Sequence, residues 1–155
     1  MEATTLALLL TALTASSVLA MGSIGSAIGV AIAVFAGLAV ITEDRRQARN
    51  VIVLTSLPMT QCFYSFIIYF TILSKVKAAT ITLGTASMVA ALGAGCGIVE
   101  LISAIYQGKA AANAISSLPR AGTMPPEYLM LIVYIELFAI LAMVFTLLGF
   151  TLIGW

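Results

Sequence analysis

Residues 3–42 read ATTLALLLTALTASSVLAMGSIGSAIGVAIAVFAGLAVIT and contain no charged side chain. Three more uncharged stretches follow, at 50–74, 78–99 and 137–155. A helix of about 20 apolar residues crosses the hydrocarbon core of a bilayer, so each stretch is long enough for a membrane span. The first is longer than one crossing needs. Together the four stretches predict an all-α membrane protein.

The overall composition supports the same class. The 155 residues are 62% hydrophobic and 8% charged, whereas soluble domains carry about 25% charged residues. We therefore expect one membrane domain over residues 1–155, without an ATP-binding domain of its own, so that the chain is not an enzyme by itself. A net charge of +1 gives no reason to expect nucleic acid as a partner.

Polar turns divide the chain into four predicted helices. These lie at about 5–41, 51–73, 80–117 and 127–154. The first turn contains the charged run 43–46, the second carries Lys75 and Lys77, and the third contains Pro119, before which we expect the third helix to end. A helix of 37 residues is about 55 Å long, so the first and third helices must tilt or project into water.

The two halves of the chain resemble each other. The tripeptide Ser-Ala-Ile at 26–28 recurs at 103–105, and the same offset pairs Met59 with Glu136. Together with the alternation of long and short helices, this repeat predicts two fused helical hairpins. Only the second hairpin would then have a carboxylate at the paired position.

Glycines and other small residues recur along the first and third predicted helices. Their spacings include Gly25-x-x-x-Gly29 and Gly93-x-x-x-Gly97. Stripes of this kind let two helix backbones approach closely in lipid. Two interpretations stay open: ordinary packing within one subunit, or the crowded inner wall of a ring.

Two carboxylates fall within the apolar helices. Glu136 has no cation within one helical turn in sequence, and a charge at the bilayer centre costs at least about 2.5 to 3.5 kcal/mol. Its partner must therefore come from another helix or be an ion, which makes it a proton carrier or a cation ligand. Glu100 lies two turns before Gln107 and lacks comparable polar neighbours, so we expect it to face a hydrated lumen or a neighbouring helix.

Neutral oxygen atoms are available near the expected depth of Glu136. The second predicted helix places four of them on one face, at Leu57, Thr60, Gln61 and Tyr64. Hard cations prefer oxygen ligands, and one carboxylate among neutral oxygens balances a single positive charge. The alternative is that these groups only form hydrogen bonds between helices.

Three segments together resemble a known family. They are LPMTQCFY at 57–64, IYQGKAA at 105–111 and ELFAIL at 136–141. In combination they resemble the membrane rotor proteolipid, known as the K or c subunit, of V-type ATPases, over essentially the whole chain. The resemblance implies a ring of identical four-helix subunits in lipid. That ring would turn against a static membrane subunit, together with central-stalk subunits, while a soluble sector hydrolyses ATP.

The resemblance also implies a site for the transported ion. In sodium-translocating members the matching positions hold Na⁺, and here these are Glu136, Gln61, Thr60, Gln107 and the Leu57 carbonyl, with Tyr64 steadying the carboxylate. We therefore expect Na⁺ rather than H⁺ as the transported ion, no resident cofactor, an Arg supplied by the static subunit, and a multi-pass location in a prokaryotic cell membrane. Two residues depart from the family pattern, Met59 after the proline and Glu100 in the third helix.

Three other functions stay open. A proton-translocating rotor subunit would use the same carboxylate. A four-helix drug or cation exporter, exchanging protons for a lipophilic cation, would need aromatic groups around Glu136 but no set of Thr and Gln oxygens. A purely structural scaffold would leave Glu136 dispensable.

Overall fold

The computed structural model describes residues 2–76 and 81–155, and within these ranges every regular element is helical. The helices are α1 (Glu2–Glu43), α2 (Ala48–Ser56), α3 (Thr60–Val76), α4 (Leu83–Ala121) and α5 (Pro126–Leu152). Four segments are long and apolar enough to cross a membrane: α1, the combined segment Arg45–Val76, α4 and α5. The predicted all-α class with four membrane-spanning helices is confirmed.

The first polar turn is fixed by Asp44. Its backbone is extended (φ −136°, ψ 96°), which ends α1, and its side chain accepts a hydrogen bond from the Arg46 backbone N–H at the start of a 3₁₀ turn, Arg45–Gln47. The Arg46 side chain forms an ion pair with the same carboxylate at 3.1 Å. Two hydrogen bonds lower the pKa of Asp44: the larger effect comes from the Arg46 side chain and the smaller from the Arg46 backbone N–H.

The second span is not one continuous α-helix. A 3₁₀ turn, Leu57–Met59, separates α2 from α3. Its centre is the buried Pro58, which has no N–H to donate to the preceding turn and so interrupts the α-helical hydrogen bonding. The 3₁₀ turn places the Leu57 carbonyl beside Thr60, at the level where polar side chains cluster.

The third predicted helix differs in its extent. α4 continues past Pro119 to Ala121 and ends at Gly122, which has a positive φ of 72° and whose N–H bonds to the Leu118 carbonyl. Proline removes one donor, yet the neighbouring bonds hold the last turn, and glycine is the residue that tolerates the final conformation. The predicted start at residue 80, like Lys77 in the second turn, lies outside the described residues.

The long helices α1 and α4 pack most extensively against each other. Their backbones touch where glycines meet: a Cβ added to Gly25 would lie 2.7 Å from the Leu101 Cα, and one added to Gly108 would overlap the Gly29 backbone. α3 packs on α1 and α5 on α4. This arrangement is that of two hairpins side by side.

Apolar side chains form two separate clusters at opposite ends of the bundle. One contains Val18, Ile68, Ile72, Val89 and Phe150 among others. The other is built around Leu54, Ile115 and Leu118. Between the two clusters lies a layer in which polar side chains are buried, and this layer positions the candidate site.

Candidate ion-binding site

The polar layer draws side chains from all four spans. Its buried members are Ser26, Gln61, Ser65, Glu100, Ser103, Gln107 and Glu136. Both neighbouring clusters are apolar, so a charge or hydrogen-bonding group in this layer must be satisfied locally. The geometry around Glu136 shows how most of these groups are satisfied.

Glu136 lies on α5 and is 8% exposed. One carboxylate oxygen accepts a hydrogen bond from the Tyr64 hydroxyl at 2.7 Å, and the other accepts from the Gln107 side-chain amide at 3.4 Å. Among residues 2–76 and 81–155, the only ion pair joins Asp44 and Arg46 in the first turn. The described part of the chain therefore gives Glu136 hydrogen-bond donors but no cation.

Gln61 is fully buried on α3. Its side-chain nitrogen donates to the Gln107 oxygen at 2.8 Å and to the Ser103 hydroxyl at 3.3 Å. Because α4 uses both N–H groups of this amide, the amide oxygen points the other way, where the Thr60 hydroxyl lies 3.2 Å from it. The orientation of Gln61 is thus set by α4.

The Leu57 carbonyl belongs to the 3₁₀ turn beside Thr60. It accepts from the Thr60 backbone N–H and lies 3.1 Å from the Thr60 hydroxyl oxygen. A hydroxyl has one proton, so Thr60 donates either to Leu57 or to Gln61 at any moment and keeps its lone pairs free. A continuous chain of polar contacts therefore runs from Leu57 to Tyr64, and the structure brings all six predicted site residues together.

Ser103 was not among the predicted site residues. Its hydroxyl accepts from Gln61 and donates to the Ile135 carbonyl at 3.1 Å, one residue before Glu136. It therefore joins three helices at the centre of the polar layer. The only sequence signal was its place in the repeated tripeptide, where the equivalent Ser26 accepts from the Cys62 backbone N–H at 3.1 Å.

Glu100 is fully buried within the single chain. Of the two expected environments, a hydrated lumen is wrong, because packed helices leave the side chain no contact with solvent. One carboxyl oxygen lies 3.9 Å from the Cys96 sulfur, and the other has no hydrogen-bond partner. Both Cys96 and Cys62 are free thiols.

The fold and the site together define a class: a helical membrane protein in which polar groups from several spans converge on one buried carboxyl between two apolar layers. Comparison with known proteins makes this more specific. Residues 13–72 match the family model of the C subunit of ATP synthase. The match covers most of α1, all of α2 and most of α3, which form the first hairpin, and leaves out the second hairpin with Glu136.

One relative extends the similarity into the second hairpin. The A-type ATP synthase subunit K of Methanocaldococcus jannaschii is 37% identical over 132 residues, which are 84% of this chain and 59% of that protein. The chain thus spans about three fifths of the relative's length. Together with the family match over the first hairpin, this similarity supports the predicted resemblance to rotor-ring proteolipid subunits. Neither comparison addresses the sodium type, which stays a prediction.

Proposed function

We propose that this chain is the ion-carrying rotor-ring subunit of a rotary ATPase of the V or A type, and that each subunit binds one Na⁺ at Glu136. The observation that supports it most directly is the environment of that carboxylate. Glu136 is nearly enclosed and meets the Tyr64 hydroxyl and the Gln107 amide. A monovalent cation would balance its charge.

The proposed ligands are oxygens only. They are the Glu136 carboxylate, the side-chain oxygens of Gln61, Thr60 and Gln107, and the Leu57 carbonyl. Each of these oxygens has two lone pairs, and the Leu57 carbonyl keeps one free when the Thr60 hydroxyl donates to Gln61 instead. The network can therefore accept an ion without losing its other hydrogen bonds. The Tyr64 hydroxyl, 2.7 Å from Glu136, holds the carboxylate in place.

Electrostatics determines how such a subunit would carry its ion. A bare carboxylate is costly in hydrocarbon, so Glu136 would face lipid only with a cation or a proton bound. An Arg of a static membrane subunit would replace the ion and release it. Moving one charge against 100 mV requires about 2.3 kcal/mol, which rotation driven by ATP hydrolysis in a separate sector would supply.

The outer surface of the chain fits an assembly in lipid. Large apolar side chains are exposed along α3 and α5, among them Phe63, Phe70, Tyr134, Phe138 and Phe145. Identical subunits in a ring would cover part of this surface, and lipid would cover the rest. We propose a prokaryotic cell membrane as the location and central-stalk subunits as the soluble partners, because the similar subunit K is archaeal.

A proton-translocating rotor is the main alternative, since a proton on Glu136 would also neutralise it. The network of Thr60, Gln61 and Gln107 favours a cation, because a proton needs one acceptor rather than several oxygens. The same network argues against an exporter of lipophilic cations. A structural scaffold would not need a carboxylate at this depth.

Labelling with a hydrophobic carbodiimide, which attacks protonated buried carboxyls, tests the proposal. The purified protein is labelled across a range of sodium concentrations and pH values and then mapped by peptide. We expect labelling at Glu136 that millimolar sodium suppresses, since a bound cation displaces the proton.

Two variants serve as controls. Glu136→Gln should remove the sodium-sensitive label, whereas Glu127→Gln, at the exposed start of the same helix, should keep it. Labelling that follows pH but ignores sodium would replace the sodium rotor with a proton rotor. Sodium-suppressed labelling at Glu100 in place of Glu136 would contradict the site.

A further inference from the structure

A second carboxyl group in the polar layer is not used by the proposed ion site. Glu100 on α4 has no exposed surface. One of its oxygens lies 3.9 Å from the Cys96 sulfur, and the other has no hydrogen-bond partner. Because this enclosure is complete within one chain, it does not depend on assembly into a ring.

An unpartnered hydroxyl lies at the same level of the bundle. Ser65 on α3 is fully buried and its oxygen has no hydrogen-bond partner. It packs against Gly22 of α1, while Gly25, one turn further along α1, packs against Leu101. The Ser65 hydroxyl and the second oxygen of Glu100 are therefore buried within about one helical turn of each other, and neither has a hydrogen-bond partner.

As far as the structure describes the chain, the helices around Glu100 supply no cation. α1 has no charge between residues 3 and 42. The titratable groups nearest to Glu100 in the polar layer are Cys96 on its own helix and Glu136 on α5, which is hydrogen-bonded to Tyr64 of α3. Lys109, further along α4, is exposed, with its ammonium 4.7 Å from the centre of the Tyr106 ring.

A carboxylate ion in this position would have neither water nor a counter-charge. Buried groups in such surroundings are neutral rather than ionised. A sodium ion is a poor alternative occupant, because the side-chain partner of this carboxyl is a thiol sulfur and hard cations prefer oxygen. A carboxylic acid, by contrast, carries no charge and so needs no counter-ion in this enclosure.

We propose that Glu100 is a second proton-binding carboxyl of the subunit, separate from the ion site, and that it keeps its proton whichever ion occupies Glu136. The bound proton is enclosed by α1, α3, α4 and α5. It is not exchanged when the ion at Glu136 is exchanged. Glu100 lies seven residues before Gln107, about 10 Å along the helix. Its neutrality leaves Glu136 as the one carboxylate ion at this depth, without a nearby anion competing for the cation.

Infrared spectroscopy can test this directly, because the C=O stretch of a carboxylic acid is separate from the bands of carboxylates and amides. The chain has only six acidic residues. Four of them, Glu2, Glu43, Asp44 and Glu127, lie at helix ends or in the first turn and reach solvent. Removing Glu136 leaves Glu100 as the single candidate for a carboxylic acid.

The measurement is therefore made on full-length Glu136→Gln protein at pH 7, with and without sodium. We expect a carboxylic acid band equal to one group per subunit, unchanged by sodium, and lost completely in the Glu136→Gln/Glu100→Gln double variant. Labelling glutamate with ¹³C should shift the band. That shift assigns the band to a glutamate even if the double variant does not fold.

Absence of the band in Glu136→Gln protein would overturn the proposal. So would its loss on adding sodium, which would indicate a second cation site at Glu100 instead. The outcome is independent of the proposed function. If Glu136 carries a proton rather than sodium, wild-type protein shows an additional sodium-insensitive band, and the result expected for Glu100 in the Glu136→Gln background does not change.

Discussion

Gln61 illustrates how single side chains organise the site. Its amide nitrogen is held by Ser103 and Gln107 of α4, so its oxygen is turned towards Thr60. An amide whose donors are both occupied cannot rotate without losing two hydrogen bonds. The geometry offered to an ion therefore depends on Ser103, a residue that need not touch the ion.

Replacing Ser103 with alanine should weaken sodium binding. The change removes one neutral hydrogen bond to Gln61, typically about 0.5 to 1.5 kcal/mol, so we expect the sodium concentration that protects Glu136 from carbodiimide to rise about 2- to 10-fold. Ser26→Ala, the equivalent change in the first hairpin, is the matched control and should leave protection unchanged. An equal effect of both variants would mean that Ser103 acts on stability alone.

Tyr64→Phe should have a larger effect than Ser103→Ala. The tyrosine hydroxyl donates to the Glu136 carboxylate at 2.7 Å, and hydrogen bonds to charged groups contribute about 1.5 to 3 kcal/mol. Sodium affinity, measured by binding of radioactive sodium to the purified protein, should fall about 10- to 100-fold. Tyr69→Phe is the control, since Tyr69 lies on the same helix and its ring stacks near Phe66 instead; affinity lost equally there would contradict the role of Tyr64.

Much of the site at this scale could be predicted because polar side chains are rare in apolar helices. Glu136, Gln107 and Gln61 stand out from their surroundings in the sequence, and the structure brings them together. Ser103 could not be recognised in this way, since serine is also a common small packing residue in membrane helices. The enclosure of Glu100 depends on the rotation of α4 against its neighbours, which spacing alone does not define.

Among the elements, the pair α1 and α4 determines the architecture. Glycines let the two backbones meet without intervening side chains, as between Gly25 and Leu101. The small-residue pattern predicted such an approach, but not which two helices would meet. The extent of α4 was harder to predict, because a proline such as Pro119 usually indicates the end of a helix. In the structure the last turn is held by a hydrogen bond from the Gly122 N–H to the Leu118 carbonyl.

Gly25→Ala should destabilise the subunit, because the new methyl group would lie 2.7 Å from the Leu101 Cα and 2.8 Å from its carbonyl oxygen. Backbone atoms cannot move aside as a flexible side chain can, and overpacking of this kind costs about 1 to 3 kcal/mol. Unfolding in detergent, followed by circular dichroism, should shift accordingly. Gly95→Ala is the control on α4, where a Cβ would meet nothing within 4 Å; equal destabilisation by both variants would refute close packing as the cause.

In the whole molecule, two similar hairpins contribute unequally to one site. The first supplies Tyr64, Thr60 and Gln61, while the second supplies Glu136 and Gln107. The offset that relates the hairpins pairs Glu136 with Met59, and Met59 is 47% exposed. Two hairpins are therefore needed to assemble one set of oxygens.

This asymmetry predicts the ion stoichiometry. Saturation with radioactive sodium should give one ion per 155-residue chain, and Glu136→Gln should give none, because the first hairpin has no carboxylate to balance a second charge. The isosteric Glu127→Gln variant should still bind one ion. Two ions per wild-type chain would rule out the proposed asymmetry between the hairpins.

One contact far from the polar layer has a mechanical consequence. Gln47, buried in the turn that follows α1, donates its side-chain N–H to the Gly122 carbonyl at the end of α4, at 2.9 Å. The contact links two turns that are 75 positions apart in the chain. A lateral force on either turn is therefore transmitted through this hydrogen bond to the other hairpin. The two hairpins are expected to move together at this end of the subunit.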